Sequence, residues 1–294
     1  MPIKETSIPF IFFGTSDFSV GILEVLKSKN FLPSLIISGE DKERGRGLKL
    51  EPTPTKQWGL IHNIEVYQPQ SLKGPEVMEK LLNYKDAQLY IVASYGKLIP
   101  KSIFELPQHH TLNVHPSLLP KLRGASPIQN TILRGEEIGV TIMQISEKMD
   151  EGPIVKQGKI TIPGLKNPQE VPTASLLQDL LARLGGEMLV EIIPGWVAGK
   201  IPTKPQDDSQ ATYAEKIEKT DGEINLKDNS LVNLRKVRAF SKWPGTHINF
   251  EGRKGQIRVV IKEAKIENGT FTPTRVIPAG KKEMDWEDFL RGNA

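Results

Sequence analysis

Two kinds of hydrophobic periodicity alternate along the first hundred residues, and no other feature limits the fold so tightly. The runs Pro9-Phe10-Ile11-Phe12-Phe13, Ser34-Leu35-Ile36-Ile37 and Leu89-Tyr90-Ile91-Val92 are apolar on both faces, whereas Val20 to Leu26 and Glu76 to Leu82 read as helices. A strand that is apolar on both faces needs cover on both sides, and a parallel sheet flanked by crossover helices supplies it. The expectation is an α/β fold, a doubly wound parallel-sheet domain.

Further along, Leu112-Asn113-Val114 and Val140 to Ile145 read as strands, and Ala174 to Ala198 as a helix whose apolar positions include Leu176, Leu177, Leu180, Leu181, Leu184 and Met188. Residues 199–211 are polar, hold Pro202 and Pro205 and show no period, so they read as a connection between domains. Beyond it, Thr246 to Phe250 and Gln256 to Ile261 alternate with glycine-bearing turns, as in a small β-rich domain or barrel. The expected division is residues 1–198, a connection at 199–211, and 212–294. A chain of 294 residues can bury two such cores without cross-links.

The absence of cysteine excludes disulfides, thiolate catalysis and Cys-ligated metal sites. The apolar run Ile8 to Phe13 is too short for the core of a signal peptide. None of the apolar runs approaches the roughly 18 residues of a membrane span. A cytoplasmic protein with no membrane partner is expected.

The densest polar cluster is Thr111 to Pro120, at the carboxyl end of an expected central strand, where open parallel sheets face their ligands. Alternation places Asn113 and His115 on one side of that strand, so an amide donor and an imidazole can converge on one substrate atom. Asp150 lies in the turn after the strand Val140 to Ile145. A turn aspartate is usually a cap or a solvated residue. If its strand lies beside the Asn113 strand, however, its carboxylate joins the pair. Gly14-Thr15-Ser16-Asp17-Phe18 occupies the place of a dinucleotide turn but lacks that motif's second and third glycines, which disfavours NAD or FAD. His109 and His110 sit in a loop without carboxylates at a ligand spacing, so no metal is expected.

Charge is unevenly spread. Between Arg235 and Lys262 stand eight Lys or Arg, Arg238 and Lys242 among them, against one Glu, so this stretch carries +7 while the whole chain carries +4. Phe240, Trp243 and Phe250 interleave with it, a composition that suits a nucleic-acid footprint as well as an ordinary basic face. Asp41 to Lys49 is a mixed-charge loop in which Gly45 and Gly47 bracket Arg46, a solvated loop or a flap over an anionic substrate.

Taken together, Phe13-Gly14-Thr15-Ser16-Asp17-Phe18, Gly45-Arg46-Gly47, Ser94-Tyr95-Gly96, Asn113-Val114-His115-Pro116-Ser117-Leu118-Leu119-Pro120, Arg123-Gly124-Ala125-Ser126-Pro127-Ile128 and Gly139 to Met143 resemble the methionyl-tRNA formyltransferases, within the 10-formyltetrahydrofolate transferase superfamily. Thr212 to Ile217 and Arg238 to Thr246 are similar to that family's tRNA-side domain. The chain departs from the family pattern at Glu40-Asp41, at Ser16 and at Ile224-Asn225-Leu226, and Thr272 to Met284 matches it poorly.

The resemblance implies a Rossmann-like catalytic domain followed by an OB-like β-barrel that binds tRNA. It implies formyl transfer from 10-formyltetrahydrofolate, a co-substrate, to the α-amine of methionyl-initiator tRNA. A monomer is expected. Asn113, His115 and Asp150 fall on catalytic positions, and Ser117, Leu118, Leu119 and Pro120 on the folate-contacting run. Phe18, Gly45, Arg46, Lys49, Arg235, Arg238 and Lys242 are the expected tRNA or substrate contacts. Two other enzymes of the same chemistry, a formyltransferase of amino-sugar nucleotides and a formyltetrahydrofolate hydrolase, lack a reason for the +7 stretch. A catalytically silent nucleic-acid-binding protein would lack a reason for Asn113, His115 and Asp150.

Overall fold

A computed structural model describes residues 8–44, 49–162, 171–253 and 255–293. Its first elements are β1 (Phe10–Gly14), α1 (Asp17–Ser28), β2 (Leu35–Ile37), β3 (Lys42–Arg44), β4 (Lys49–Glu51), α2 (Pro54–Ile61), β5 (Val66–Tyr67), α3 (Pro75–Leu82), β6 (Leu89–Ala93) and α4 (Lys101–Phe104). They continue with β7 (Thr111–His115), β8 (Arg123–Gly124), α5 (Pro127–Arg134), β9 (Gly139–Gln144), β10 (Ile154–Lys159) and α6 (Ala174–Val197). The last are β11 (Tyr213–Ala214), α7 (Ser230–Ala239), β12 (Thr246–Gly252), β13 (Gly255–Glu267), β14 (Thr270–Pro278), β15 (Met284–Asp285) and α8 (Trp286–Asn293).

The described chain divides into two compact units. One is drawn from Met1–Arg123, Gly139–Lys159 and Asp179–Thr212, the other from Gly124–Ile138, Ile160–Gln178 and Tyr213–Ala294.

In the first unit, seven of the described strands form one sheet in the order β10-β9-β7-β6-β1-β2-β5. The strands β5, β2, β1, β6 and β7 run parallel; β9 pairs antiparallel with β7, and β10 antiparallel with β9. Every residue from Phe10 to Phe13 is fully buried, as expected of a central strand covered on both faces. The chain order turns back between β1 and β6, the place where open α/β sheets leave a crevice at their carboxyl ends. Gly14 is the last residue of β1, and a Cβ at this position would come within 2.6 Å of the Phe12 ring and 2.8 Å of Ser19. The buried Ser19 hydroxyl donates to the Ala93 carbonyl at 2.6 Å and accepts from the Thr15 N–H at 3.1 Å, tying α1 to the end of β6.

The back of β7 is closed by α6, whose buried positions include Leu177, Leu181, Met188 and Ile192; Leu176, placed by its spacing on the apolar face, is exposed. Gly185 allows the approach, since a Cβ there would stand 2.7 Å from Val114 Cγ1. Gly185→Leu is therefore expected to lower unfolding free energy by about 1–3 kcal/mol through overpacking. Denaturant titration measures this, and an unchanged midpoint would show that α6 can move off β7 at no cost.

The mixed-charge loop carries more order than its composition suggests, because β3 and β4 pair as an antiparallel ladder from Lys42↔Glu51 to Arg44↔Lys49. Asp41, at the foot of this ladder, accepts from Lys56 Nζ at 2.6 Å and from Gln68 Nε2 at 2.7 Å. Burial acts upward on its pKa, but these bonds outweigh it and hold the carboxyl below the usual aspartate value.

The second unit holds the expected β-rich C-terminal part, with an antiparallel sheet in the order β12-β13-β14-β15. Ile248, Val259, Ile261, Phe271 and Val276 from the sheet pack with Leu234 and Val237 of α7 and Trp286 and Phe289 of α8. Val276 belongs to this core and Met284 packs against it, although Thr272 to Met284 departs from the family pattern. Among the described residues, no helix is long and apolar enough to cross a membrane.

Candidate active site

Strand β7 carries the site. Its odd positions Thr111, Asn113 and His115 face away from α6, because Val114 faces the helix at Gly185. His115 is buried, and its Nε2 lies 2.9 Å from the carbonyl oxygen of Leu122. A carbonyl can only accept, so Nε2 carries the proton in the neutral ring and Nδ1 is the basic nitrogen. That Nδ1 faces Asp150 Oδ1 at 3.7 Å, and the Asp150 side chain is 11% exposed. An imidazole with one nitrogen committed to a carbonyl and the other facing a carboxylate can take up one proton and have the resulting charge balanced.

Asp150 reaches His115 by a different route from the one its sequence position suggests. Strand β9 does lie beside β7, but antiparallel, with His115 opposite Thr141 and Leu112 opposite Gln144. The end of β9 is thus at the amino end of β7, and the loop that follows must turn back to bring the carboxylate to the imidazole. Asp150 has φ 55° in that loop, a left-handed backbone that aspartate tolerates better than most residues.

The run after β7 is held from beneath. The buried Thr141 hydroxyl donates to the Ser117 carbonyl at 2.7 Å and accepts from the Leu119 N–H at 3.0 Å. Gln157 Nε2, from β10, donates to Leu119 O at 2.8 Å and to Thr141 Oγ1 at 3.0 Å. Ser117 itself donates to Lys121 O, and Leu118 lies over Gly139. Ser117 to Pro120 therefore form a braced turn next to His115. Thr141 and Gln157 had no local signal in the sequence; they are found only once β7, β9 and β10 are paired.

The same holds for Arg123 and Gln206. Arg123 is 2% exposed, its Nε and Nη2 both donate to Gln206 Oε1, and Nη2 also donates to Asp208 at 2.6 Å. Gln206 Nε2 in turn donates to the carbonyls of Asp150 and Gly152, each at 2.8 Å. The polar segment 199–211 is thus fastened to the first unit.

A model of the formyl transferase family matches residues 7–191, and a model of the formyl transferase C-terminal domain matches residues 216–275. A methionyl-tRNA formyltransferase of Methylococcus capsulatus is 36% identical over 97% of this chain and 96% of its own length. The chain belongs to the methionyl-tRNA formyltransferase family. The corresponding enzyme of a Sulfurihydrogenibium species is also 36% identical, over 93% of this chain and 86% of its own. The fold is shared with a Clostridium thermocellum methionyl-tRNA formyltransferase, at TM-score 0.58 and 16% identity over 95% of this chain and 99% of that one. It is shared as well with a sugar N-formyltransferase of a Shewanella species, at TM-score 0.63 and 15% identity over 88% and 98%. Fold alone does not separate the acceptors within this formyltransferase superfamily.

Of the other residues singled out, Lys49 is exposed on β4, while Gly45 and Arg46 lie outside the described residues. Phe18 is buried at 3% exposure in the first turn of α1, so it serves the core. His109 and His110 precede β7 and His115 ends it, so the three do not converge. In the second unit, Lys242, Arg253, Arg258 and Lys262 are exposed, whereas Arg235 and Arg238 are half-buried. Arg235 Nη1 lies 3.4 Å from the Leu133 carbonyl at the end of α5, which makes it a helix-end partner. Phe240 is fully buried and Phe250 packs on Trp286 and Phe289, which leaves Trp243, 53% exposed, as the aromatic at the surface of the basic stretch. Burial, and after it the neighbouring Arg258, holds the His247 pKa below its usual value, so the neutral ring accepts from Arg258 Nη2.

Proposed function

We propose that this enzyme transfers the formyl group of 10-formyltetrahydrofolate to the α-amine of methionyl-initiator tRNA, with Asn113, His115 and Asp150 as its catalytic residues. The observation that carries the reading is the orientation of His115, whose Nε2–H is committed to Leu122 and whose basic Nδ1 faces Asp150. The relatives at 36% identity, named methionyl-tRNA formyltransferase, support the acceptor.

The residue types account for each step. The attacking amine is neutral and must lose a proton as its C–N bond forms; His115 Nδ1 takes that proton and Asp150 balances the imidazolium. The formyl oxygen becomes anionic in the tetrahedral intermediate, and the Asn113 amide N–H stabilises it, a contribution of about 3–4 kcal/mol for donors of this kind. Collapse breaks the bond to the folate nitrogen, and the proton held by the His115–Asp150 pair passes to that nitrogen as it leaves. One proton leaves the amine and one reaches the folate, so the reaction is balanced with no metal in any step.

The turn Ser117 to Pro120 supplies the folate contact in this reading, and its brace should matter for donor affinity. Thr141→Val removes the hydroxyl and leaves the Leu119 N–H without its acceptor, which costs about 1–3 kcal/mol when such a group is buried. A folate affinity roughly 10-fold weaker is expected, the lower part of that range. Equilibrium binding of a folate analogue checks it, and unaltered affinity would detach this turn from the donor site.

For the acceptor, purified protein with 10-formyltetrahydrofolate should formylate methionyl-tRNA and leave free methionine and an amino-sugar nucleotide unreacted. Formylation of the sugar nucleotide alone would replace the acceptor in this reading.

A further inference from the structure

The polar segment at 199–211, which belongs to the first unit, is more than a connection. We propose that Gln206 and Arg123 are positioning residues for the transfer, holding Asp150 against His115 from residues remote in sequence. This rests on the roles given above to His115 and Asp150.

In the loop from Ser146 to Pro153, Glu147, Lys148 and Met149 are exposed, and the loop is tied at its start by the Lys101–Glu147 pair and at its end by the Gln144 N–H on Pro153 O. Yet it must keep Asp150 in the left-handed region and its carboxylate 3.7 Å from Nδ1. Gly152, two residues on, is pressed so closely to Gln144 that a Cβ would lie 1.7 Å from its carbonyl oxygen. Between these points the single amide nitrogen of Gln206 bridges the carbonyls of Asp150 and Gly152, at 2.8 Å each. Its orientation is fixed from the other end, because Gln206 Oε1 accepts from both Nε and Nη2 of Arg123. Arg123 is itself immobilised by burial, by Asp208 at 2.6 Å and by Glu151 of the same loop at 3.6 Å.

The other partner of His115 is fixed by the same strap. The Leu122 N–H donates to Thr212 Oγ1 at 2.9 Å, the Arg123 N–H donates to Thr212 O at 2.9 Å, and the Thr212 N–H reaches Pro120 O. Leu122 has φ 59°, and this turn aims its carbonyl at His115 Nε2. Residues 206 and 212 thus set both ends of the imidazole: the carbonyl that selects its tautomer and the carboxylate that balances its charge. Positioning of this kind acts on the chemical step, since the orientation of a catalytic pair is lost well before its fold is.

Gln206→Glu separates the roles, because a carboxylate still accepts from Arg123 but cannot donate to the two carbonyls. Gln206→Leu removes both functions at similar volume. Single-turnover formylation should fall about 10- to 100-fold in each variant, with KM for folate and for methionyl-tRNA within about twofold of wild type. The unfolding midpoint of Gln206→Leu should also fall, because Arg123 Nε loses its acceptor, so rates are compared on folded protein. The loss should vanish in an Asp150→Asn background, because Gln206 acts through Asp150. Independently of any reaction, amide hydrogen exchange of residues 146–153 should accelerate at least 10-fold in both variants, while the rest of the sheet keeps its protection.

Wild-type exchange in that loop, a loss confined to KM, or an equal loss with and without Asp150 would each overturn the proposal. If the loop loosens but the wild-type enzyme formylates no amine, the clamp stands and the functional reading fails.

Discussion

Replacing His115 with alanine should slow single-turnover formylation of methionyl-tRNA by about 10²- to 10⁴-fold, the range for a lost general base. The neutral tautomer imposed by Leu122 leaves Nδ1 as the ring's proton acceptor, so the variant has none at this position. Asp150→Asn should cost about 10²-fold or more by the same chemistry, since an amide cannot balance the imidazolium. Asparagine is the better replacement there because it accepts the φ of 55° that alanine would strain against. Rates near wild type in both folded variants would remove the pair from the chemistry.

The second large effect concerns the acceptor. If the exposed cations of the second unit track phosphates, tRNA affinity should fall steeply with added salt through counterion release, while folate affinity should not. Replacing Lys242, Arg253 and Lys262 together with glutamine should weaken tRNA binding by about 10²-fold at low salt and reduce the slope of log K against log salt by about 2–3. Arg258 is left in place because its guanidinium is engaged with His247. A charge change is a cleaner probe than removal of residues 213–294, since α5 belongs to the same compact unit and Arg235 rests on its last turn. An unaltered slope would assign the tRNA contact to another surface.

What was legible in the sequence was what local periodicity encodes. The strands β1, β2 and β6 are continuous apolar runs, and their alternation with helices gave the parallel sheet. The pairing of Asn113 with His115 followed from strand alternation alone, with no need of tertiary structure. Strand β10 escaped because Ile154–Lys159 carries two lysines and a glycine, the composition of a solvated edge strand. Helix α5 escaped because part of its buried face is polar, Asn130 and Thr131, which blurs the apolar period.

Side chains whose surroundings were not legible share a physical cause. Phe18, Phe250 and Arg235 have side chains equally suited to a surface contact or to burial, and only long-range packing decides between the two. The braces of the site are of the same kind, because Thr141 and Gln157 act on a turn at residues 117–121 and Gln206 acts on a loop more than fifty positions away. Hydrogen bonds over such separations leave no periodic trace. The direction of β9 was equally invisible, since an apolar run reads the same parallel or antiparallel, and it changed the path by which Asp150 arrives at His115.

The central claim is that the formyl group passes to the methionyl amine and not to water. Tetrahydrofolate and N-formylmethionyl-tRNA should therefore appear in a 1:1 ratio through the whole course of one reaction, measured by quenched sampling of both products. Equality of the two at every time is the predicted result. Tetrahydrofolate released with free formate, while methionyl-tRNA stays unformylated, would contradict the account and make the same residues those of a hydrolase.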